Sequence, residues 1–372
     1  MILNRIFTWL SVLLLAGPGV AWAYPMLGEL VQEDSTVALV AGGDVMLGSW
    51  AQQVVLDSGF AYPFVRLLPQ LSQADIVFAN LEAPFGDSGE ALVEKSYTFQ
   101  VMPALAAALV AGKINLVSLA NNHIMDFGIS HLKKTVQLLD SLGIQHAGAG
   151  VNRIEACREA ALEVKGIRLA LVAYSLTFPQ EFWATDTSAG TCFPWAPEVF
   201  EQVRSLRRRY DVVMVSCHWG QELMELPKKY QIELAHRLID AGADIILGHH
   251  PHVVQGIEVY QGRLIAYSLG NFVFGSYSEK AREGLLLKVV WSKNGMEWAQ
   301  VMPINVYNAE REFQPVLLNG ERRTAFLQHL NQISLELNNQ HRVITSDGRV
   351  RFNPKFQQYP EESKQTDYQQ EG

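Results

Sequence analysis

Cysteine is scarce in this 372-residue chain, with only Cys157, Cys192 and Cys217. That excludes a disulfide scaffold and a multi-cysteine zinc array. A basic excess is missing as well. Lys and Arg number 30 against 38 Asp and Glu, a formal charge of -8, which excludes a broadly basic surface and argues against nucleic acid as a partner. No stretch beyond the N-terminal segment is long and apolar enough to span a bilayer, and there is no internal repeat or heptad run. What is present is apolar: 48% of residues are hydrophobic. A chain of this size buries a large core without staples, as one large domain or two ordinary ones.

Residues 1–23 read as a secretory signal. Arg5 supplies the positive start, residues 6–15 are almost wholly apolar, and Gly17, Pro18 and Gly19 break any helix ahead of the small-x-small site Ala21-Trp22-Ala23. The apolar run is shorter than the about 20 residues of a membrane span. The expectation is a periplasmic or extracellular protein, membrane-associated if the segment is retained. Export permits disulfides. Cys157 and Cys192 can then pair across a loop, with Cys217 left as a buried thiol in the apolar run 212–217.

Apolar, β-branched runs at 36–41, 75–79, 115–119, 167–174, 211–217 and 244–247 read as buried strands. Amphipathic helices at 130–142 and 230–241 lie between them, the second followed by Gly242 as the expected stop. This alternation is an α/β pattern. From Arg263 onward, strands at 264–268, 285–291 and 298–302 follow one another, predicting an antiparallel extension of the sheets. A late helix is expected over 320–337, and residues 353–372 are too polar to bury and are expected to be disordered. The domain reading is therefore a signal at 1–23, a catalytic-type domain at 36–318, a C-terminal helix and extension at 319–352, and a tail.

Five clusters place metal-capable or acid–base side chains at the ends of these strands, where ligands bind in open α/β sheets. They are Gly43-Asp44, Asn80-Leu81-Glu82, Asn121-Asn122-His123 with Asp126, His218-Trp219-Gly220 with Glu222, and His249-His250-Pro251-His252. Singly, most have ordinary explanations: Asp44 as a turn residue or N-cap, Glu82 as a surface carboxylate, Asn121 and Asn122 as turn formers, His218 as a hydrogen-bonded histidine. Asp126 reads equally as a helix-start residue. Three imidazoles in four residues resist such an explanation, and five clusters at one end of the sheets reinforce one another.

Asp44, Glu82, Asn122, His218 and two of the three late histidines form a mixed nitrogen and oxygen set without thiolate. Such a set suits Mn, Fe or Zn. It exceeds the three protein ligands of a typical catalytic zinc. Two divalent ions about 3.5–4 Å apart would use it, polarising an ester oxygen and lowering the pKa of a water towards about 7. His123, left over beside Asn122, would then protonate the leaving group, with Asp126 orienting its ring and holding it charged. Lys95, Tyr97 and Phe99 follow the Glu82 loop, and Lys95 reads as a solvated loop lysine. Asn271 follows a strand and faces either ligand or backbone.

These clusters, together with Tyr267-Ser268-Leu269-Gly270-Asn271-Phe272, resemble the CapA-type capsule-synthesis family, associated with poly-γ-glutamate polymers and belonging to the calcineurin-like metallophosphoesterase superfamily. The resemblance covers roughly residues 37–306. It implies a four-layer fold, two mixed sheets flanked by helices, with a dinuclear centre at the strand ends. Carried over motif by motif, it makes Asp44 the first carboxylate ligand, Glu82 the bridge, Asn122 the amide ligand, His218 the single histidine ligand and His123 the general acid. His250-Pro251-His252 fits the closing His-x-His, so His249, like Asn80, Glu222 and Asn271, falls to a supporting or substrate-facing place. Two departures from the superfamily's pattern fall at the first metal position. Met46 stands where the superfamily's Asp-x-His has histidine, and Glu82 stands where an aspartate is usual.

The leading expectation is a metal-dependent hydrolase or transferase acting on an ester or amide of an anionic polymer or a phosphoester, beside a membrane polymer synthase. A non-catalytic accessory protein that binds nascent polymer or that synthase is the second reading, and a general phosphodiesterase or nucleotidase the third.

Overall fold

The computed structural model describes residues 36–195 and 197–352. The expected signal and tail lie outside the described residues. Strand β1 (Val37–Val45) leads through helices α1 (Trp50–Ser58) and α2 (Leu68–Leu71) to β2 (Ile76–Leu81). Helix α3 (Ala106–Ala111) precedes β3 (Leu116–Ser118), and α4 (Gly128–Ser141) precedes β4 (Gln145–Ala147). The middle of the chain holds β5 (Ala149–Gly150), α5 (Arg153–Ala156), the paired strands β6 (Ala160–Val164) and β7 (Ile167–Ser175), and β8 (Gly190–Thr191). Helix α6 (Glu198–Arg209), β9 (Val212–His218), α7 (Lys229–Asp240) and β10 (Ile245–His249) complete the alternation. Then come β11 (Ile257–Tyr260), β12 (Arg263–Ala266), β13 (Asn271–Val273), β14 (Glu283–Ser292) and β15 (Gly295–Asn305), followed by α8 (Asn308–Arg311), β16 (Val316–Leu317) and α9 (Gly320–Ile333).

The larger sheet runs β16-β15-β14-β1-β2-β3-β4, with β13 beside β1; the smaller runs β11-β12-β10-β9-β7-β6. In each, a parallel centre carries antiparallel additions. Strands β1 to β4 are parallel and β14 to β16 antiparallel. Strands β7, β9, β10 and β12 are parallel, with β6 and β11 antiparallel at the edges. The late strands extend both sheets, and β14 and β15 do so antiparallel, as expected; the strand expected at 264–268 is corrected, since β12 runs parallel to β10, and β11, turned back through Gln261 and Gly262, takes the antiparallel edge.

The period of two in each strand sorts its side chains between layers. Val37, Leu39 and Ala41 of β1 share one buried cluster with Leu169, Leu171 and Ala173 of β7, so the sheets face each other across it. Val40, Val77 and Val117 point the other way, onto Val55, Leu109 and Leu132 of α1, α3 and α4. Val172, Val213 and Ile246 likewise meet Val203 of α6 and Leu238 of α7. Helices, sheet, sheet, helices: this is the expected four-layer sandwich.

The predicted late helix is shorter than expected. It ends at Ile333, and a 3-10 turn, Glu336–Asn338, follows. The cause is the free edge of β11: Ile257 N donates to Ser334 Oγ (2.9 Å) and Val259 N to Asn338 Oδ1 (3.0 Å). Covering an open sheet edge with side-chain acceptors satisfies its backbone donors. Cys157 and Cys192 form a disulfide, and Cys217 is free and buried. Burial raises the Cys217 thiol beyond the range in which it would ionise.

Candidate metal centre

The site residues sit inside the strand ends rather than beyond them. Asp44 lies in β1, Asn80 in β2, His218 closes β9 and His249 closes β10. Register explains their convergence: Asp44 pairs with Asn80 and with Asn271 of β13, and His218 pairs with His249. Two glycines permit the close approach of backbones. A Cβ at Gly43 would stand 1.8 Å from Gly270 O, and one at Gly248 would stand 1.9 Å from Tyr267 O. Any side chain there would push Asn271 or the late histidines away from Asp44.

Asp44 and Glu82 are fully buried. Asn80 Nδ2 donates to Asp44 Oδ1 (2.8 Å) and Glu82 Oε2 (3.1 Å), holding the two carboxylates side by side. His252 Nδ1 stands 3.3 Å from Asp44 Oδ2 and its Nε2 stands 3.6 Å from Glu82 Oε1. His218 Nε2 lies 2.8 Å from Asn122 Oδ1 and 3.8 Å from Glu82 Oε1. The polypeptide bends sharply to present the last histidines, with φ of 94° at His250 and 57° at His252. Such backbone is costly for non-glycine residues and clusters at functional sites.

Two groups of donor atoms result, each drawn within 4.8 Å: Glu82, His218 and His250, and Asp44, Glu82 and His252. Glu82 belongs to both. Asn122, through its contact with His218, borders the group of Glu82, His218 and His250, and Asp44 belongs to the other, the first metal position. The donors are also unsatisfied by the protein. Glu82 Oε1 and His250 Nδ1 are buried without a hydrogen-bond partner, and such groups normally find one. Cations would satisfy them, so the residues fit a divalent metal.

Electrostatics sharpens the point. Burial and the neighbouring Asp44 charge push Glu82 well above the usual carboxylate range. Burial also opposes ionisation of Asp44, but the imidazoles of His249 and His252 outweigh it and hold Asp44 well below its ordinary value. Burial and then the adjacent His250 depress His218, and burial and then His252 bring His250 down to about 3. Both rings are thus neutral and able to donate to a cation. His252 is pushed down by burial but raised on balance by Asp44.

His123 stands beside this pocket, with Nδ1 2.7 Å from Asp126 Oδ2; burial outweighs Asp126 and lowers the pKa of the ring, so the expectation that Asp126 holds it charged is corrected, and the carboxylate orients it instead. Asp126 is fully buried, so it is not simply a residue at the start of α4. The reading of Lys95 as a solvated lysine is corrected. Its side chain is 16% exposed, and Nζ lies 2.6 Å from Asp126 Oδ1 and 3.3 Å from His123 Nδ1. It escaped the sequence because it arrives on a long irregular loop with no periodicity. Phe99 from the same loop donates its backbone N–H to Asp126 Oδ2 (2.7 Å) and lays its ring 4.3 Å from that of His123. Asn121 is more than a turn former: Oδ1 accepts from the backbone of His123 and Ile124, and Nδ2 donates to Leu81 O and Asn80 Oδ1. Asn271 Oδ1 lies 3.0 Å from His252 Nδ1, a contact that would fix this imidazole for a cation. Glu222 is exposed on the loop after β9 and belongs to neither donor group, but its charge helps to raise both Glu82 and His252. Met46 is buried in the outer apolar layer, its sulfur accepting from Gly48 N (3.2 Å).

Fold and site together define a four-layer α/β protein with an acid–imidazole pocket, able to hold metal, at the carboxyl ends of its parallel strands. More particularly, the chain belongs to the bacterial capsule synthesis protein family PGA_cap, whose pattern matches residues 38–276. It is 32% identical over 270 residues to the PGA biosynthesis protein CapA of Bacillus subtilis, covering 72% of this chain and 71% of that one. It is 28% identical over 304 residues to the capsule biosynthesis protein CapA of Bacillus anthracis, covering 80% and 74%. A Mycobacterium tuberculosis relative, named "Probable polyglutamine synthesis accessory protein", is 31% identical over 281 residues, covering 64% and 74%. Among solved structures, a 5'-nucleotidase precursor from Thermus thermophilus is similar at 14% identity and a TM-score of 0.42, over 76% of this chain and 55% of its own. The NAD nucleotidase of Haemophilus influenzae is similar at 12% identity and a TM-score of 0.44, over 84% and 64%. The chain therefore spans under two thirds of these longer proteins.

Proposed function

We propose that the protein is an exported, divalent-metal-dependent hydrolase or transferase that acts on an ester or amide bond of an anionic substrate during synthesis of a capsule-type polymer such as poly-γ-glutamate. The observation that carries this reading is Glu82, shared by two groups of buried donors with an acid–base pair alongside. A pair of divalent ions bound there would supply electrophilic polarisation and an activated water. The chain's own residues do the rest. His123 is fixed by Asp126 through Nδ1, which leaves Nε2 to deliver a proton to the leaving atom. Lys95 holds the far oxygen of Asp126, so that the carboxylate cannot turn away from the ring. The fully buried Asp44 and Glu82 would face a substrate anion only behind the cations, which reconciles an acidic protein with an acidic polymer. Export is supported by the secretory pattern of residues 1–23 and by a disulfide, a bond that persists in oxidising compartments. Among the described residues no helix is long and apolar enough to cross a membrane.

A second reading, a non-catalytic accessory that binds nascent polymer or a membrane synthase, is favoured by Met46 in the place of a motif histidine. Elemental analysis of the purified protein separates the two, with Asn122→Ala and His250→Ala alongside and turnover of an aryl phosphodiester measured in parallel. Near two equivalents of Mn, Fe or Zn, reduced in both variants and needed for turnover, supports the hydrolase. No stoichiometric metal after reconstitution, with no turnover, moves the assignment to the accessory reading.

A further inference from the structure

The larger sheet ends at β4, and a cavity of about 290 Å³ lies between that strand, β5 and the helices α4 and α5. Leu132 and Val136 of α4, with Ala147 of β4 and Ala149 of β5, give it an apolar wall. Lys133 of α4 and Arg158, just after α5, line it as well, and both are exposed. Among the described residues neither side chain has a hydrogen bond or an ion pair.

The acids that share the cavity are engaged. Glu159 Oε1 is 2.8 Å from Arg209 Nη1 and 3.3 Å from the Tyr210 hydroxyl. Glu155 Oε2 accepts from Val151 N (3.3 Å). His146 Nε2 lies 3.0 Å from Asp140 Oδ1. In a chain of formal charge -8, this cavity is therefore locally cationic. Free guanidinium and ammonium groups beside an apolar wall suit a ligand with both anionic and hydrocarbon parts. No Phe, Tyr or Trp lines the cavity, so a nucleobase has nothing to stack on. Gln137 is the single uncharged polar side chain in the lining, so a sugar finds few partners. A guanidinium matches a carboxylate through two parallel hydrogen bonds. Helix α4 also links the cavity to the metal centre. Its first residue, Gly128, follows Asp126 by two positions, and Leu132 stands four residues on, about 6 Å along the axis.

We propose that this cavity binds an aliphatic chain bearing carboxylates, with Lys133 and Arg158 as its anion-binding side chains. A segment of γ-linked glutamate polymer has that chemistry, and so does a small free dicarboxylic acid. For the first of these sources the inference rests on the polymer reading above and deepens it, since a chain held here is tethered along the helix that begins at the acid–base pair.

The test is calorimetric titration of the full chain, with its divalent ions and after their removal, using a hexamer of γ-linked glutamate, glutarate and inorganic sulfate. Lys133→Gln and Arg158→Gln are titrated alongside. Both positions are exposed and unpartnered, so the fold does not depend on them. Each variant should weaken binding of the hexamer and of glutarate by about 10-fold. Sulfate, which has charge but no methylenes, should bind at least about 10-fold more weakly than glutarate. A hexamer bound more tightly than glutarate assigns the cavity to the polymer, and equal binding assigns it to a free dicarboxylic acid; either supports the proposal. No binding by the wild type, unchanged binding in either variant, or sulfate bound as tightly as glutarate overturns it. Failure of the hydrolase reading shows separately, as absent metal and absent turnover of an aryl phosphodiester in the wild type, quantities that these two substitutions should leave alone.

Discussion

Lys95 Nζ lies 2.6 Å from one oxygen of Asp126 while His123 Nδ1 lies 2.7 Å from the other. The carboxylate is fully buried and is clamped from both sides. An ion pair in such a position does more for orientation than for stability, because desolvation offsets much of its attraction. His123→Gln is expected to lower kcat on an aryl phosphodiester by about 10²–10⁴-fold. Lys95→Met, which acts only through Asp126, is expected to cost about 10–100-fold. Metal content should be unchanged in both. Loss of metal from either variant would show that the pair supports the pocket rather than the chemistry.

Glu82 connects the two donor groups, and this makes its substitution different from any other. Glu82→Gln keeps the volume and one acceptor oxygen but removes the charge that two cations would share. Its metal content should fall close to zero, whereas Asn122→Ala should retain an ion at the first position. Parallel elemental analyses of the two variants provide the check; a glutamine variant that keeps a full equivalent would mean that Glu82 serves one position only.

Metal loading should depend on pH in a definite direction. Burial and Asp44 raise Glu82, and Asp44 raises His252 against the effect of burial. A group whose folded pKa is raised stays protonated to higher pH, and it must lose that proton before it can bind a cation. Affinity should therefore fall as pH drops through these raised values, with protons released on binding, and level off above them. His218 and His250 are depressed by burial, His250 to about 3, so they remain neutral and add nothing to the release. Calorimetric titration with zinc in two buffers of different ionisation enthalpy counts the protons. Equal release in mildly acidic and mildly alkaline solution would refute the assignment of Glu82 and His252 as ligands.

Much of this site was legible before the structure, because strand ends in α/β sheets carry the chemistry and five of them end in suitable residues. The layers were legible too, since the long runs of β1, β7 and β9 cannot be anything but buried strands. Strands of two or three residues such as β5, β13 and β16 leave no periodic signal, and each exists only because a neighbour supplies its partner. The role of Lys95 was hidden for a related reason. Residues 82–100 have almost no regular structure, so nothing in their pattern says that the loop folds back over Asp126. The direction of His249 was equally invisible, because it depends on which way the last residue of β10 turns. Met46, in contrast, announced its departure in the sequence, and the structure supplied the physical sense of it: a side chain that belongs to the core.

The disulfide offers a test independent of the metal. Cys157 and Cys192 are 35 residues apart in sequence. They tie the end of α5 to the residue after β8, at the rim of the smaller sheet's helical layer. The bond restricts the unfolded chain far more than the folded one, and a loop of this length implies a loss of about 2–4 kcal/mol when it is opened. Trp183, Phe193 and Trp195 pack at tilted angles beside it, with ring centroids 4.0 and 4.6 Å apart in sequence order, so local packing keeps the segment in place once folded. Cys157→Ser with Cys192→Ser should therefore lower the midpoint of thermal unfolding while leaving metal stoichiometry intact, because no donor lies on this loop. Removing both cysteines avoids a stray thiol, and Cys217, fully buried, cannot substitute. Scanning calorimetry of the double variant against the oxidised parent, each with metal content measured, is the check. An unchanged midpoint would mean that the aromatic packing alone holds the segment, and a lost metal equivalent would mean that the loop reaches the site by a route the contacts do not show.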